Sequence, residues 1–334
     1  MKINGVAVPG QRHSEENKPC QDKIYSMKNN GVAAIALADG AGSAAFSDIG
    51  AQVAVKALCE KFCASFDEII NTANSTAAKK MILNFVITQL EDESERTHCK
   101  LKDLASTLLG AAYSESQDKV LLVHLGDGMI ASFEKGNAIL VSGPDNGEHK
   151  NETVFTTSFN ALQRMRIARG RAEGLEGFAL MSDGTDWTLY SRSEKKFIPL
   201  LNDIFRDSVI YSEEVNNLDL QELFEEIISR KSDDDCSLIV MCRPDKNFRG
   251  YRDLDEAEQF SFLGIKSGNR KSKDTCEKFF DIFESEESLT RADVIRTSKK
   301  LGFKHKKILG LLRRLNREGF IEKMPDGYSL NFNY

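Results

Sequence analysis

Acidic residues stand at the ends of four apolar stretches of this sequence. Asp39 follows VAAIALA, Asp127 follows VLLVHLG, Asp183 follows GFALMS, and three aspartates at 233–235 precede CSLIVMC. A carboxylate beside a buried strand is costly unless it is paired or bound to a metal. Brought together, these acids form an oxygen-only site, which favours hard cations such as Mg²⁺ or Mn²⁺.

Two simpler interpretations compete with a metal site. Asp-Gly pairs mark tight turns, which explains any single acid equally well. Gly40, Gly42 and Ala45 also match the G-x-G-x-x-[GA] pattern of dinucleotide-binding loops, and Glu60 stands where a ribose-binding acid would lie. That pattern is weak alone, so the surrounding elements must decide between an oxidoreductase and a metal enzyme.

The elements around these acids predict antiparallel sheets. Short β-type runs recur through the first 245 residues, and turn-rich links such as SESQDK and EKGN connect several of them. Helical spacing of apolar residues appears at 46–66 and 76–100, and residues 194–230 also indicate helix. The pattern predicts an α+β fold and fits a dinucleotide-binding βαβ fold poorly.

Composition describes an ordinary protein of two domains. The chain has 334 residues and a formal net charge of -6, which argues against polyanion binding over the whole surface. From residue 265 onward, 16 Lys and Arg against 10 Asp and Glu give +6, which leaves -12 for the rest. No apolar stretch has the length of a secretion signal or membrane span. Seven cysteines without a C-x-x-C pair predict reduced thiols, so we expect a cytoplasmic protein without a membrane partner.

Five motifs together resemble the metal-dependent protein phosphatases of the PP2C type, in their expected order. They are GVAVPGQRHSEENKPCQD, IALADGAGSAAFSDIGAQVA, ASTLLGAAYSESQDKVLLVHLGDGMI, GFALMSDGTDW and SDDDCSLIVM. The resemblance implies a four-layer α/β/β/α sandwich of two antiparallel sheets over residues 1–245. It also implies a serine/threonine phosphatase that uses two, or with a weaker site three, Mg²⁺ or Mn²⁺ ions and acts on phosphorylated proteins, with a cognate kinase as a further partner.

The resemblance assigns residues to the two main ions. Asp39 would bridge both ions, and Gly40 would offer its backbone carbonyl to one of them. Asp183 and Asp234 would hold the other ion. Two cations about 4 Å apart generate a nucleophile from water and neutralise charge on the phosphoryl group, so Asp39 is the first candidate catalytic residue.

Two further acids receive supporting roles from the resemblance. Asp22 would act in catalysis by orienting metal-bound waters, and Asp127 would help form the third metal site. The sequence departs from the family at Gln21, where many members carry Glu, and at Ala41, where animal members place a histidine. The leaving group would then receive its proton from metal-bound water.

Other positions match the family less well. The family's further acid falls at Trp187, while Asp186 stands one position early. Its phosphate-binding arginine has no clean match: Arg12 and His13 are the nearest candidates, and both are equally well explained as surface residues. The arginine-rich stretch 160–174 falls where such phosphatases carry a flap, which indicates either substrate contacts or a solvated basic face.

Residues 274–334 predict a winged-helix-like domain after a polar linker at 246–273. Three helical segments precede a hairpin with Asp326-Gly327 at its turn. The cations on or near its third helix are Lys304, Lys306, Lys307, Arg313, Arg314 and Arg317. They fit DNA phosphates, but winged helices also dock proteins, so both interpretations stay open. The module would target or regulate the phosphatase; alternatively, the chain is a DNA-binding regulator whose phosphatase-like domain is a sensor or scaffold.

Overall fold

A computed structural model describes residues 1–16, 18–144, 153–210, 213–243 and 289–300, and parts of 302–330. The chain divides into two compact units. The first comprises Met1–Phe205 and Asn217–Arg243, and the second comprises Arg206–Asn216 and Pro244–Tyr334. The predicted linker at 246–273 and the helix predicted near 274–285 lie outside the described residues.

The first unit contains two five-stranded sheets. In chain order its strands are β1 (Lys2–Val8), β2 (Lys23–Asn29), β3 (Val32–Ala38), β4 (Leu108–Ser114), β5 (Lys119–Leu125), β6 (Met129–Glu134), β7 (Asn137–Ser142), β8 (Arg166–Arg171), β9 (Gly177–Met181), the short pair β10 (Tyr190–Ser191) and β11 (Lys196–Phe197), and β12 (Cys236–Cys242). One sheet has the order β1-β12-β9-β6-β7 and the other β2-β3-β4-β5-β8. Every described pairing is antiparallel, which confirms the predicted fold class and removes the dinucleotide-binding alternative.

Several helices lie between these strands along the chain, and the longest of them packs against one sheet. They are α1 (Gln11–Glu15), α2 (Ser47–Asn71), α3 (Ser75–Thr97), α4 (Ala161–Arg164), α5 (Asp183–Leu189), α6 (Pro199–Ile210) and α7 (Glu213–Leu223). Short 3₁₀ segments at Leu101–Leu104 and Ser229–Lys231 and a π-helical turn at Phe224–Ile228 complete the set. The helices predicted at 46–66 and 76–100 correspond to α2 and α3.

Strand β3 shows how alternation builds two cores from one strand. All seven residues of β3 are buried, because successive side chains point to opposite faces and both faces are covered. Ala34 and Ala36 pack against α2 and its neighbours, while Ile35 and Leu37 face the second sheet. Alanine on the helix side lets α2 lie close to the sheet, so the end of β3 is held firmly.

The second unit is described in part. It contains β13 (Leu289–Thr290), α8 (Arg291–Lys300), β14 (Ile321–Met324) and β15 (Gly327–Leu330). Its sheet has the order β13-β15-β14 with antiparallel pairs. Residues 308–310, 312–313 and 316 are helical.

The described part of the chain contains no helix long and apolar enough to cross a membrane.

His124 is a buried neutral group in the sheet core. Its ring Nε2 donates to the carbonyl of Gly126 (3.1 Å). Burial, together with the nearby guanidinium of Arg166, lowers the pKa of His124 to about 3. A histidine whose pKa is lower in the folded state contributes stability above its unfolded pKa, and this stability is lost as pH falls.

We therefore predict that His124→Gln flattens the acid side of the stability profile. Between pH 6.5 and 4.5 the wild type should lose about 2 kcal/mol more unfolding free energy than the variant. Only in the wild type does unfolding expose an imidazole that then takes up a proton. Urea denaturation at both pH values measures this difference. Parallel losses in the two proteins would contradict a neutral buried His124.

Candidate active site

Three carboxylates meet at one edge of the sandwich. Asp39, Asp127 and Asp183 are half-buried, and one oxygen of each lies within 4.8 Å of the other two. These are three of the four acidic positions that the sequence placed at strand ends. This spacing suits ligands around a shared cation. In the absence of a cation, carboxylates this close repel one another.

Strand direction explains why distant acids converge. Asp39 follows β3 and Asp127 follows β5, and these strands run in the same direction because β4 lies between them. Asp183 follows β9, and the acids at 233–235 precede β12, its antiparallel neighbour. The end of β9 therefore lies beside the start of β12, and all four acidic positions share one edge of the sandwich.

The charges of the other four predicted acids all act on Asp39. Burial raises the pKa of Asp39 well above its ordinary value, and the charges of Asp22, Asp183, Asp234 and Asp127 raise it further. Asp234 is itself exposed, and its Oδ1 accepts a hydrogen bond from the backbone of Asp235 (2.9 Å). The five predicted acids therefore act on one another as a single cluster.

Asp22 and Asp183 show the same perturbation. Burial raises the pKa of Asp22 to about 7, with the hydroxyls of Ser182 and Ser237 acting in the opposite direction. Burial and the charge of Asp127 raise the pKa of Asp183 to about 7. Asp183 Oδ1 is buried and has no hydrogen-bond partner among the described residues, so this oxygen is available to a ligand.

The loop after β3 is held by backbone contacts. Asp39 N donates to Thr107 Oγ1 (2.8 Å), and Thr107 N donates back to the Asp39 carbonyl (2.8 Å). Gly40 forms an isolated β-bridge with Ser106, and Ala41 N donates to the carbonyl of Ala105 (2.9 Å). The segment just before β4 thus fixes Asp39 and Gly40, and no sequence pattern indicated this role for Thr107.

Asp127 has a partner that sequence reasoning missed. Thr153 Oγ1 donates to Asp127 Oδ2 (2.5 Å). The predicted role of Asp127 in a third metal site stays a prediction.

Asp235 ties the N-terminal loop to the site. Its Oδ1 accepts from Gly10 N (2.8 Å) and from His13 Nδ1 (2.8 Å), and its Oδ2 accepts from Gln21 N (2.5 Å). Both side chains of the His13–Asp235 pair are nearly inaccessible, at 5% and 1% exposure. Because Gln21 precedes Asp22, this carboxylate fixes the backbone that carries Asp22.

Two glycines allow the loops to approach this closely. A Cβ on Gly10 would lie 2.2 Å from the carbonyl oxygen of Asp234, and a Cβ on Gly184 would lie 2.1 Å from that of Asp235. Neither distance is tolerable, since backbone atoms cannot retreat as a side chain can. The glycine after Asp183 therefore serves packing of the 233–235 loop against α5.

The predicted phosphate-binding residues have different environments. Arg12 is exposed on α1. His13 is buried against Asp235, so its prediction as a phosphate ligand finds no support in this placement. The departure at Gln21 also has a local explanation, because its Nε2 donates to Ser47 Oγ at the start of α2 (2.9 Å).

The expectation of a flap over 160–174 is wrong for most of that stretch. Residues Arg166–Arg171 form β8, which pairs with β5 along its length. Arg169 Nη1 donates to the carbonyl of Ile69 (3.0 Å) and to that of Thr72. Arginine near a helix C-terminus satisfies free carbonyls there, so Arg169 caps the end of α2.

The C-terminal candidates are described only in part. Lys304 and Arg313 belong to the described residues, whereas Lys306, Lys307, Arg314 and Arg317 lie outside them. Their proposed role in binding DNA or protein stays a prediction.

A family model described as protein phosphatase 2C matches residues 9–223. The chain belongs to this family. The predicted enzyme class, protein serine/threonine phosphatase, is confirmed with it, and the family is metal-dependent. The match ends at residue 223 and does not include the acids at 233–235. These acids precede β12, which is a central strand of the sheet β1-β12-β9-β6-β7 and so belongs to the same fold.

Solved structures agree on the fold. A bacterial serine phosphatase carrying an arginine-to-lysine mutation is similar at a TM-score of 0.52 and 15% identity, covering 74% of this chain and 100% of the other. A C. elegans sex determining protein is similar at a TM-score of 0.52 and 15% identity, covering 72% of this chain and 65% of the other. No curated protein matches the sequence significantly.

Asp235 provides a test of how the site is held. We predict that Asp235→Ala lowers the unfolding free energy by about 3 kcal/mol, because it leaves two buried donors and one partly buried donor without their acceptor. Urea denaturation measures the loss. Asp233→Ala is the matched control, since Asp233 is exposed in the same loop and should change stability by less than about 0.5 kcal/mol. Equal effects of the two substitutions would contradict this role of Asp235.

Proposed function

We propose that this protein hydrolyses phosphoserine and phosphothreonine in proteins with the help of two divalent cations, Mg²⁺ or Mn²⁺. The observation that carries the proposal is the convergence of Asp39, Asp127 and Asp183 within 4.8 Å in a member of the protein phosphatase 2C family. Asp39 and Asp22 are the proposed catalytic residues.

The chemistry of the donors supports a cation at this edge. The ligand set is oxygen-only, which suits Mg²⁺ and Mn²⁺. Asp39, the Gly40 carbonyl, Asp183 and Asp234 would hold two ions, and Asp127 would contribute to a third. Burial and repulsion from the neighbouring carboxylates raise the pKa of Asp39. A bound cation would offset both the cost of burying this charge and the repulsion.

Different groups at the site would have different roles in hydrolysis. Bound cations would supply a nucleophile from water at neutral pH and neutralise charge on the phosphoryl group. Asp22, fixed through Gln21 and Asp235, would accept a hydrogen bond from water and orient it. Ala41 has no titratable group, so the leaving group would take its proton from water in the site.

We predict that Asp39→Asn and Asp183→Asn each lower kcat at least about a hundredfold, because each removes a charged ligand from the reacting centre. The assay is release of phosphate from phosphoserine and phosphothreonine peptides with Mn²⁺, and EDTA should abolish it in the wild type.

Asp118→Asn is the control for this assay. Asp118 lies in the turn before β5, at the end opposite to the acid cluster, and its loss should leave turnover within about twofold. Full activity of Asp39→Asn and Asp183→Asn would overturn the metal mechanism.

The C-terminal residues are proposed to form a winged-helix-like module that targets or regulates the phosphatase. The sheet order β13-β15-β14 with α8 between β13 and β14 supports this proposal. The alternative, a DNA-binding regulator with a phosphatase-like sensor domain, predicts salt-sensitive retardation of DNA fragments by the full chain. Absence of any retardation at low salt would remove that alternative and leave protein docking.

A further inference from the structure

A single tryptophan stands exposed beside the acid cluster. Trp187 is the only tryptophan in the sequence, and 70% of it is exposed. It lies on α5, four residues after Asp183, and side chains at this spacing share one face of a helix. A large aromatic side chain is therefore presented to solvent on the side of α5 that carries a proposed metal ligand.

An arginine is fixed on this tryptophan. The guanidinium of Arg192 lies over the indole ring, 4.3 Å from its centre, and a cation over an indole face is attracted by the ring. Arg192 Nη2 also donates to Asp186 Oδ2 (2.8 Å). Half of the Arg192 side chain nevertheless stays exposed, at 53%, so its orientation is fixed while its surface remains open.

Asp186 connects this arginine to the cluster. Its side chain is fully buried, and its Oδ1 has no hydrogen-bond partner among the described residues. Burial raises the pKa of Asp186, Arg192 lowers it, and the charge of Asp127 raises it. Asp186 therefore lies within electrostatic reach of the cluster and also holds Arg192.

This arrangement suits an anionic group on the substrate. A guanidinium carries five donors, and the bond to Asp186 uses one of them. Arginine binds carboxylates through paired hydrogen bonds, and the indole offers an apolar surface for the neighbouring backbone. Because Arg192 is bonded to Asp186 and stacks on Trp187, which shares α5 with Asp183, it would meet residues that flank the phosphate rather than the phosphate itself.

We propose that Trp187 and Arg192 recognise an acidic side chain next to the phosphorylated residue of the substrate, with Asp186 as the positioning residue. This inference rests on the proposed function and adds a substrate class to it: phosphoproteins whose phosphoserine or phosphothreonine is flanked by Asp or Glu.

The test compares two phosphoserine peptides that are identical except for flanking Glu or Lys residues. The measured quantity is the ratio of their kcat/KM values with Mn²⁺. The wild type should prefer the acidic peptide, and Arg192→Ala should lower the ratio about fivefold or more, mainly through KM. Arg192→Glu should reverse the preference toward the lysine peptide. Asp186→Asn should lower the ratio less, because the arginine remains and only the negative charge that anchors it is removed.

Arg243 offers a matched control in the same unit. Its guanidinium lies 4.9 Å from the centre of the Tyr113 ring, and its Nη2 donates to Asp118 (2.7 Å). It follows β12, at the end of the sheet opposite to the acid cluster. Arg243→Ala should therefore leave the ratio unchanged. A ratio in Arg192→Ala and Arg192→Glu equal to that of the wild type would overturn the inference.

A second readout is independent of turnover. Because Trp187 is the only tryptophan, titration with an unphosphorylated Glu-flanked peptide in Mg²⁺ should change its emission in the wild type and much less in Arg192→Ala. Unchanged emission in the wild type would also overturn the inference. Absence of turnover of both phosphopeptides would instead contradict the proposed function, while the emission still tests the surface.

Discussion

Mutual repulsion among half-buried carboxylates is the constraint on which this structure depends. Asp39, Asp127 and Asp183 hold oxygens within 4.8 Å of one another, and burial makes the charges of Asp39 and Asp183 costly. An arrangement like this persists only if the surrounding structure enforces it. The antiparallel order of two sheets does so, because it brings the ends of β3, β5 and β9 and the start of β12 to one edge.

The supporting contacts lie outside the cluster itself. Asp235 collects two backbone donors and His13, Thr107 fixes the backbone of Asp39, and close glycine contacts join the loops. These contacts fix the backbone of the loops that carry the acids. A rigid frame therefore holds an acidic centre that a divalent cation would stabilise, and Arg192 provides a fixed cation at its margin.

The sequence predicted the fold and the convergence of Asp39, Asp127 and Asp183, because both follow from local patterns. Apolar runs ending in Asp-Gly identify strand ends, and helical spacing identified α2 and α3. Local patterns could not predict the hydrogen bond between His13 and Asp235, since these residues lie 222 positions apart in the sequence. The basic residues at 166–171 predicted a flap because they do not show the apolar alternation of a strand. Pairing with β5 determines their conformation instead. Arg192 follows no motif, and it comes to lie over Trp187 from the turn between β10 and β11.

The most direct test is metal-dependent stabilisation, because it does not rely on a substrate. The thermal unfolding midpoint of EDTA-treated protein is measured with and without Mn²⁺, for the wild type and Asp39→Asn. Saturating Mn²⁺ should raise the wild-type midpoint by about 5 °C or more and raise that of the variant much less. Without metal, the variant should be the more stable of the two, because one repelling charge is gone. Equal shifts in both proteins, or none in the wild type, would contradict a cation site at Asp39.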